Sequence, residues 1–187
     1  MRFIAYKVRN GGKLMSRFRA ATNDDAGLIS HIFATSWRHA YKGLISQDYL
    51  DRLPDDYWIP SLPAWLCNNE LNGLMVYDGK QPAGCCIYGR GREADHSDWG
   101  EIVSLYLLPD CMRKGLGGEL LEECLSIMRK DGYHRFYLWA IEGSKATESF
   151  YAKHGFHPTT DFIDYSIGGE SVRDRRYVHV EDARKNR

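Results

Sequence analysis

Apolar residues recur at helical spacing in three stretches of the chain. After Thr22-Asn23-Asp24-Asp25, which offers capping side chains and a negative first turn, Ile29, Ile32 and Phe33 follow at intervals of three and one. Residues 115–130 carry Leu116, Leu120, Leu121, Cys124, Leu125 and Met128 on one face, the clearest amphipathic helix in the sequence, closed by Asp131-Gly132. Residues 145–154 form a shorter one, ended by Gly155. Runs rich in β-formers at 17–20, 73–77, 83–88, 101–108, 136–140, 162–167 and 175–180 read as strands. Asp78-Gly79-Lys80-Gln81 and Gly168-Gly169 supply turns, and residues 89–99 read as a polar loop. Between Trp37 and Trp65 the chain is rich in aromatics and broken by Gly43, Pro54, Pro60 and Pro63, which predicts short helices joined by loops. The order is mixed α/β, with a largely antiparallel start and at least one strand–helix–strand unit. One domain over 16–187, preceded by an extension at 1–15, fits this pattern, and Met15-Ser16 could serve as an alternative start.

Composition narrows the function. With 187 residues, 43% hydrophobic and 27% charged, the chain is long enough for a single sizeable core. Lys plus Arg equals Asp plus Glu at 25 each, which argues against a nucleic-acid binder, since that affinity needs excess positive charge. The basic stretches at 173–176 and 184–187 read as solvated surface. No apolar run reaches membrane-span length and the start has no secretory pattern. Five cysteines without a CxxC pair fit reduced thiols in the cytoplasm. The oligomeric state is left open by the sequence, with a homodimer the candidate because dimers are the commonest oligomers.

The chemistry concentrates between Glu101 and Phe156. A strand ends at Pro109, and Met112-Arg113-Lys114-Gly115-Leu116-Gly117-Gly118 opens the long helix. Glycines at a helix start expose unpaired N–H groups at the positive end of the dipole, which favours a phosphate. Three glycines in four residues each cost about 1 kcal/mol of helix propensity, a reason to expect the bare backbone to be used. A P-loop is excluded by the missing Lys-Ser/Thr pair, and a Rossmann fingerprint by Leu120 at its last glycine position.

These residues resemble the GNAT superfamily of N-acetyltransferases. The family's turn pattern, [QR]xxGx[GA], falls on residues 112–117. Ser149-Phe150-Tyr151-Ala152-Lys153-His154-Gly155-Phe156 looks like its tyrosine helix and Gly-Phe turn, and Phe18-Arg19-Ala20-Ala21 with Asp24-Asp25 looks like its opening strand and helix. Most of residues 16–180 is covered. Two positions depart: Met112 stands where Gln or Arg is usual, and Ser144 where Asn is usual.

The resemblance implies a mostly antiparallel sheet flanked by helices, with a splayed parallel pair (101–108 and 136–140) that binds acetyl-CoA. Its pantetheine would pair with backbone at Leu105 and Leu107. Its pyrophosphate would sit on Met112, Arg113, Lys114, Gly115, Leu116, Gly117 and Gly118, with Ser144 nearby. Direct transfer of acetyl to a primary amine of a small molecule or peptide would follow. Tyr151 matches the general acid, against the plainer role of a core tyrosine. Glu101 matches a catalytic base of some relatives and equally a solvated strand-end glutamate. Alternation puts Glu101, Val103, Leu105 and Leu107 on one face. Trp37 and Tyr41 are expected to line the acceptor pocket. No metal is expected, because Gly155 and Pro158 break the helix that would align His154 with His157, and Cys111 reads as packing. The competing reading is an inert acyl-CoA-binding sensor or scaffold.

Overall fold

The computed structural model describes residues 7–10, 13–67 and 71–181. Two short strands, β1 (Lys7–Asn10) and β2 (Lys13–Ser16), pair with each other apart from the main sheet. This hairpin lies in the stretch expected to be an extension, 1–15, and runs one residue past it to Ser16.

The chain then runs β3 (Phe18–Ala20), α1 (Ala26–Ala40), α2 (Gln47–Arg52), α3 (Leu62–Cys67), β4 (Leu71–Asp78), β5 (Gln81–Arg90) and β6 (Gly100–Leu107). It continues through α4 (Leu116–Lys130), β7 (Arg135–Ile141), α5 (Lys145–Lys153), β8 (His157–Ile167) and β9 (Glu170–Val180). The entry to α1 is fixed by Asp25, whose carboxylate accepts from Thr22 N and Oγ1 at 2.8 and 3.0 Å. Arg19 grips the same carboxylate with two bonds of 2.7 and 2.9 Å, which hold its pKa down at about 2.

Seven strands form one sheet in the order β3-β4-β5-β6-β7-β9-β8, antiparallel everywhere except β6 against β7. Helix α4 covers one face, with Leu116, Leu120, Leu121, Cys124, Leu125 and Met128 packed on Val76, Cys86, Ile102, Phe136 and Leu138. On the other face Ile29, Ile32 and Phe33 of α1 and Leu62 of α3 meet Met75, Cys85 and Ile87. Each such side chain gains about 1.5–3 kcal/mol on burial, so the sheet is held from both sides. β8 and β9 are longer than the sequence suggests, because β8 is the edge strand, where Pro158 interrupts no inner ladder.

One irregularity shapes everything near the site. Ile87 of β5 faces Ser104 of β6, while the next residue, Tyr88, faces Ile102, so Val103 is surplus. A bulge bends its strand. Beside it the parallel ladder between β6 and β7 covers only Gly100–Phe136, Glu101–Tyr137 and Ile102–Leu138, and beyond these the strands part. β7 stays with β9 along its whole length. The bulge also resets the faces. Val103 packs toward α1, whereas Leu105 and Leu107 pack toward α4. The expectation that Glu101, Val103, Leu105 and Leu107 share a face is corrected accordingly.

Among the described residues no helix is long and apolar enough to cross a membrane.

Candidate active site

The turn before α4 is wound by two left-handed residues, Arg113 at φ 60° and Gly115 at φ 84°. Gly115 precedes the helix, and a Cβ there would touch only the tip of Glu119, so glycine is required by its φ rather than by space. Among the described residues the N–H groups of residues 113–118 donate to no backbone carbonyl, while Met112 N and Glu119 N on either side are bonded to Pro109 and Gly115. A run of unpaired N–H groups at a helix start is suited to an anion. The next glycines serve packing too: a Cβ on Gly117 would lie 3.2 Å from Leu107, and one on Gly118 would lie 2.8 Å from the His154 ring. Met112 packs against the α4 core, so the position that departs from the pattern anchors the turn by apolar contact. Lys114 pairs with Asp78 at 3.1 Å, and Glu119 with Arg17 at 2.5 Å. Cys111 packs beside Met112.

Ser144 caps α5 by accepting from Thr147 N at 3.4 Å and pairs with the Thr147 hydroxyl at 2.7 Å. About two turns on, Tyr151 is buried among Phe150, Phe156 and Tyr177. Burial, with Cys86 and Tyr106 adding to it, pushes its phenol well above the usual range, so it stays protonated. Tyr151 packs on the α4 side and Tyr106 on the α1 side, and they sense each other where the strands have parted.

Glu101 sits at the closed end of the parallel pair and is 3% exposed. Its carboxylate accepts from Arg92 N (3.2 Å), Arg92 Nε (2.9 Å), Arg92 Nη2 (2.7 Å) and the Tyr137 hydroxyl (3.0 Å). Four donors leave little capacity for a fifth partner. The strand-end glutamate is therefore buried rather than solvated, and it ties the β5–β6 loop to β7.

At the open end the structure gathers groups that sequence reasoning did not connect. Tyr106 of β6 accepts from Trp37 Nε1 at 2.9 Å and pairs with the Tyr41 hydroxyl, also at 2.9 Å. Burial raises the pKa of both tyrosines. Ser36 donates to the Leu107 carbonyl at 2.8 Å and ties β6 to α1. Asp174 of β9, opposite Ile141, accepts from Tyr165 at 2.9 Å. Burial raises the pKa of its carboxyl against that hydrogen bond. Thus Trp37 and Tyr41 do meet at one place, and Tyr106, Asp174 and Tyr165 join them. Period-two alternation through Arg173-Asp174-Arg175-Arg176 was the signal that could have singled out Asp174.

A sheet whose single parallel pair opens between an anion-cradling helix start and a buried, protonated tyrosine defines an acyl-transferring enzyme. Residues 30–156 match the family model described as the acetyltransferase (GNAT) family, and the chain belongs to that family of N-acetyltransferases. A probable N-acetyltransferase of Mycobacterium tuberculosis is 27% identical over 143 residues, covering 75% of this chain and 79% of the relative. The spermidine N(1)-acetyltransferase of Thermoplasma acidophilum is 23% identical over 160 residues, covering 85% and 96%. In fold, the chain resembles the PaiA N-acetyltransferase of Thermoplasma acidophilum, solved in complex with coenzyme A. The TM-score is 0.69 at 20% identity, covering 88% of this chain and 98% of that one.

Proposed function

We propose that this enzyme moves the acetyl group of acetyl-CoA directly to a primary amine of a small molecule or a peptide. The observation that carries this reading is the unpaired N–H run of residues 113–118 beside the parted end of β6 and beside α5, since a Cβ on Gly117 would lie 3.2 Å from Leu107 and 3.5 Å from Phe150, the neighbour of Tyr151. The cradle fits a pyrophosphate, and the parted backbone around Leu105 and Leu107 fits an amide-bearing arm such as pantetheine. Acetyl-CoA supplies an acyl group activated as a thioester. Tyr151 holds a proton at its hydroxyl and gives it to the departing sulfur as the amine nitrogen takes the acyl carbon. Burial raises the phenol above its ordinary value near 10, which keeps it loaded with its proton but widens the gap to a thiol near 8.5, so the transfer depends on the hydroxyl being held at the departing sulfur. The phenol is then reprotonated from the nitrogen, which sheds a proton in becoming an amide. Ser144 keeps α5 in place by its cap.

The test is a thiol-release assay with a panel of amines. Tyr151→Phe should lower kcat about 10²–10⁴-fold while CoA affinity holds. Full activity in that variant would make Tyr151 a packing residue. CoA binding without turnover on any amine would favour the inert module. Gly115→Val, which disturbs φ without filling a packed space, should weaken CoA binding about tenfold or more by calorimetry.

A further inference from the structure

Asp174 is a half-buried carboxylate that pairs with no cation among the described residues. Its neighbours in sequence are turned away. Arg173 grips Asp164 at 2.6 and 2.9 Å, and Arg175 donates to the Thr159 carbonyl at 2.7 Å. Both guanidinium groups lie over the Phe162 ring, at 5.3 and 5.4 Å. Arg176, two residues along, is engaged by Glu93 and by Asp161, the latter at 3.2 Å. Among the described residues, what Asp174 meets instead is hydroxyl-bearing and aromatic. Tyr165 of β8 donates to it, and Tyr41 and Tyr106 lie close enough for its charge to help raise their pKa values. An anion taken from water without a counter-charge is costly, and one phenol offsets only part of that cost. The missing partner is a positive charge that arrives from outside.

The site lies at the opened end of the sheet, on the α1 face, one strand away from the gap between β6 and β7. A nitrogen paired with a carboxylate is held protonated and has no lone pair for attack. The nitrogen at Asp174 is therefore not the one that is acetylated.

We propose that Asp174, framed by Tyr41, Tyr106 and Tyr165, binds a second ammonium group of the acceptor, so that the enzyme prefers diamines and longer polyamines over monoamines. This rests on the transfer reading above and adds its selectivity. Carboxylate and ring faces together suit an alkylammonium.

The experiment compares 1,4-diaminobutane with n-butylamine, equal in chain length. In the wild type kcat/KM should favour the diamine at least tenfold, through KM. In Asp174→Asn the ratio should fall to within about twofold of one, and Asp174→Glu should recover part of it. Calorimetric titration of 1,4-diaminobutane, read without turnover, should show a Kd at least tenfold higher in Asp174→Asn. Circular dichroism checks that each variant is folded. A wild-type ratio near one, or a ratio kept in Asp174→Asn, overturns the proposal while transfer stands. An equal fall in kcat for both amines, with loss of the acidic limb of the pH profile, makes Asp174 a general base and also overturns it. Diamine binding that depends on Asp174 without acetylation of either amine sustains the recognition site and sinks the transfer reading.

Discussion

Glu101 and Asp174 stand on the same side of one sheet and are treated in opposite ways. Glu101 lies where β6 and β7 are still laddered, and four donors converge on it. Asp174 lies where they have parted, and among the described residues its single hydrogen-bond donor is the Tyr165 hydroxyl. A satisfied carboxylate holds the fold, whereas an unsatisfied one leaves a demand that a ligand can meet. The boundary between the two halves is the bulge at Val103.

The comparison can be broken by stability measurements. The largest effect is expected at the closed end. Glu101→Ala removes the common acceptor of Arg92 and Tyr137 and should cost about 3 kcal/mol in denaturant unfolding. A loss well under 1 kcal/mol would show that Glu101 does not lock that end.

Asp25 is a second satisfied carboxylate, and its substitution should have the next largest effect. Its folded pKa, about 2 because of Arg19, lies below the ordinary value of about 3.9. The folded state thus binds this proton more weakly than the unfolded chain, and the stabilisation is present above pH 4 and lost as pH falls toward 2. Asp25→Asn should cost about 1–2 kcal/mol at neutral pH. The gap to wild type should close between pH 4 and 2, and a gap independent of pH would assign the effect to the cap alone.

Asp174→Asn should have the smallest effect and the opposite sign. Burial raises its folded pKa, so the folded state binds this proton more tightly, and wild type loses stability as pH rises through that raised value. The asparagine variant should be more stable at neutral pH, by less than about 1 kcal/mol, with the advantage gone below about pH 4. A destabilised variant would mean that Asp174 has a partner in the fold after all.

The half of the site proposed to hold the cofactor was legible because its signals are local. Helix α4 declares itself by periodicity, the glycine turn adjoins it, and Tyr151 follows within one strand–helix step. The half proposed to hold the acceptor joins residues far apart in sequence: Tyr41 to Tyr106, and Tyr165 and Asp174 from the last two strands. Only the sheet order brings these together, and β9 is inserted between β7 and β8. Strand alternation also failed across Val103, since nothing in the residue types marks the bulge. Glu101 was visible as a candidate, but its saturation by Arg92 depends on how the loop after β5 folds back. Asp174 was hidden among arginines that read as a solvated run.

The surplus residue in β6 has a consequence for length variation. Leu105 and Leu107 already lie on the same side as Ile102, with Tyr106 opposite, as they would in a regular strand lacking Val103. Deleting Val103 would therefore leave both linings where they are and let the β6–β7 ladder continue past Ile102 and Leu138. The chain would keep every chemical group named above and have no aperture in which to use them. A one-residue deletion, rather than any change of side chain, is the shortest step from this enzyme to a sealed and idle sheet.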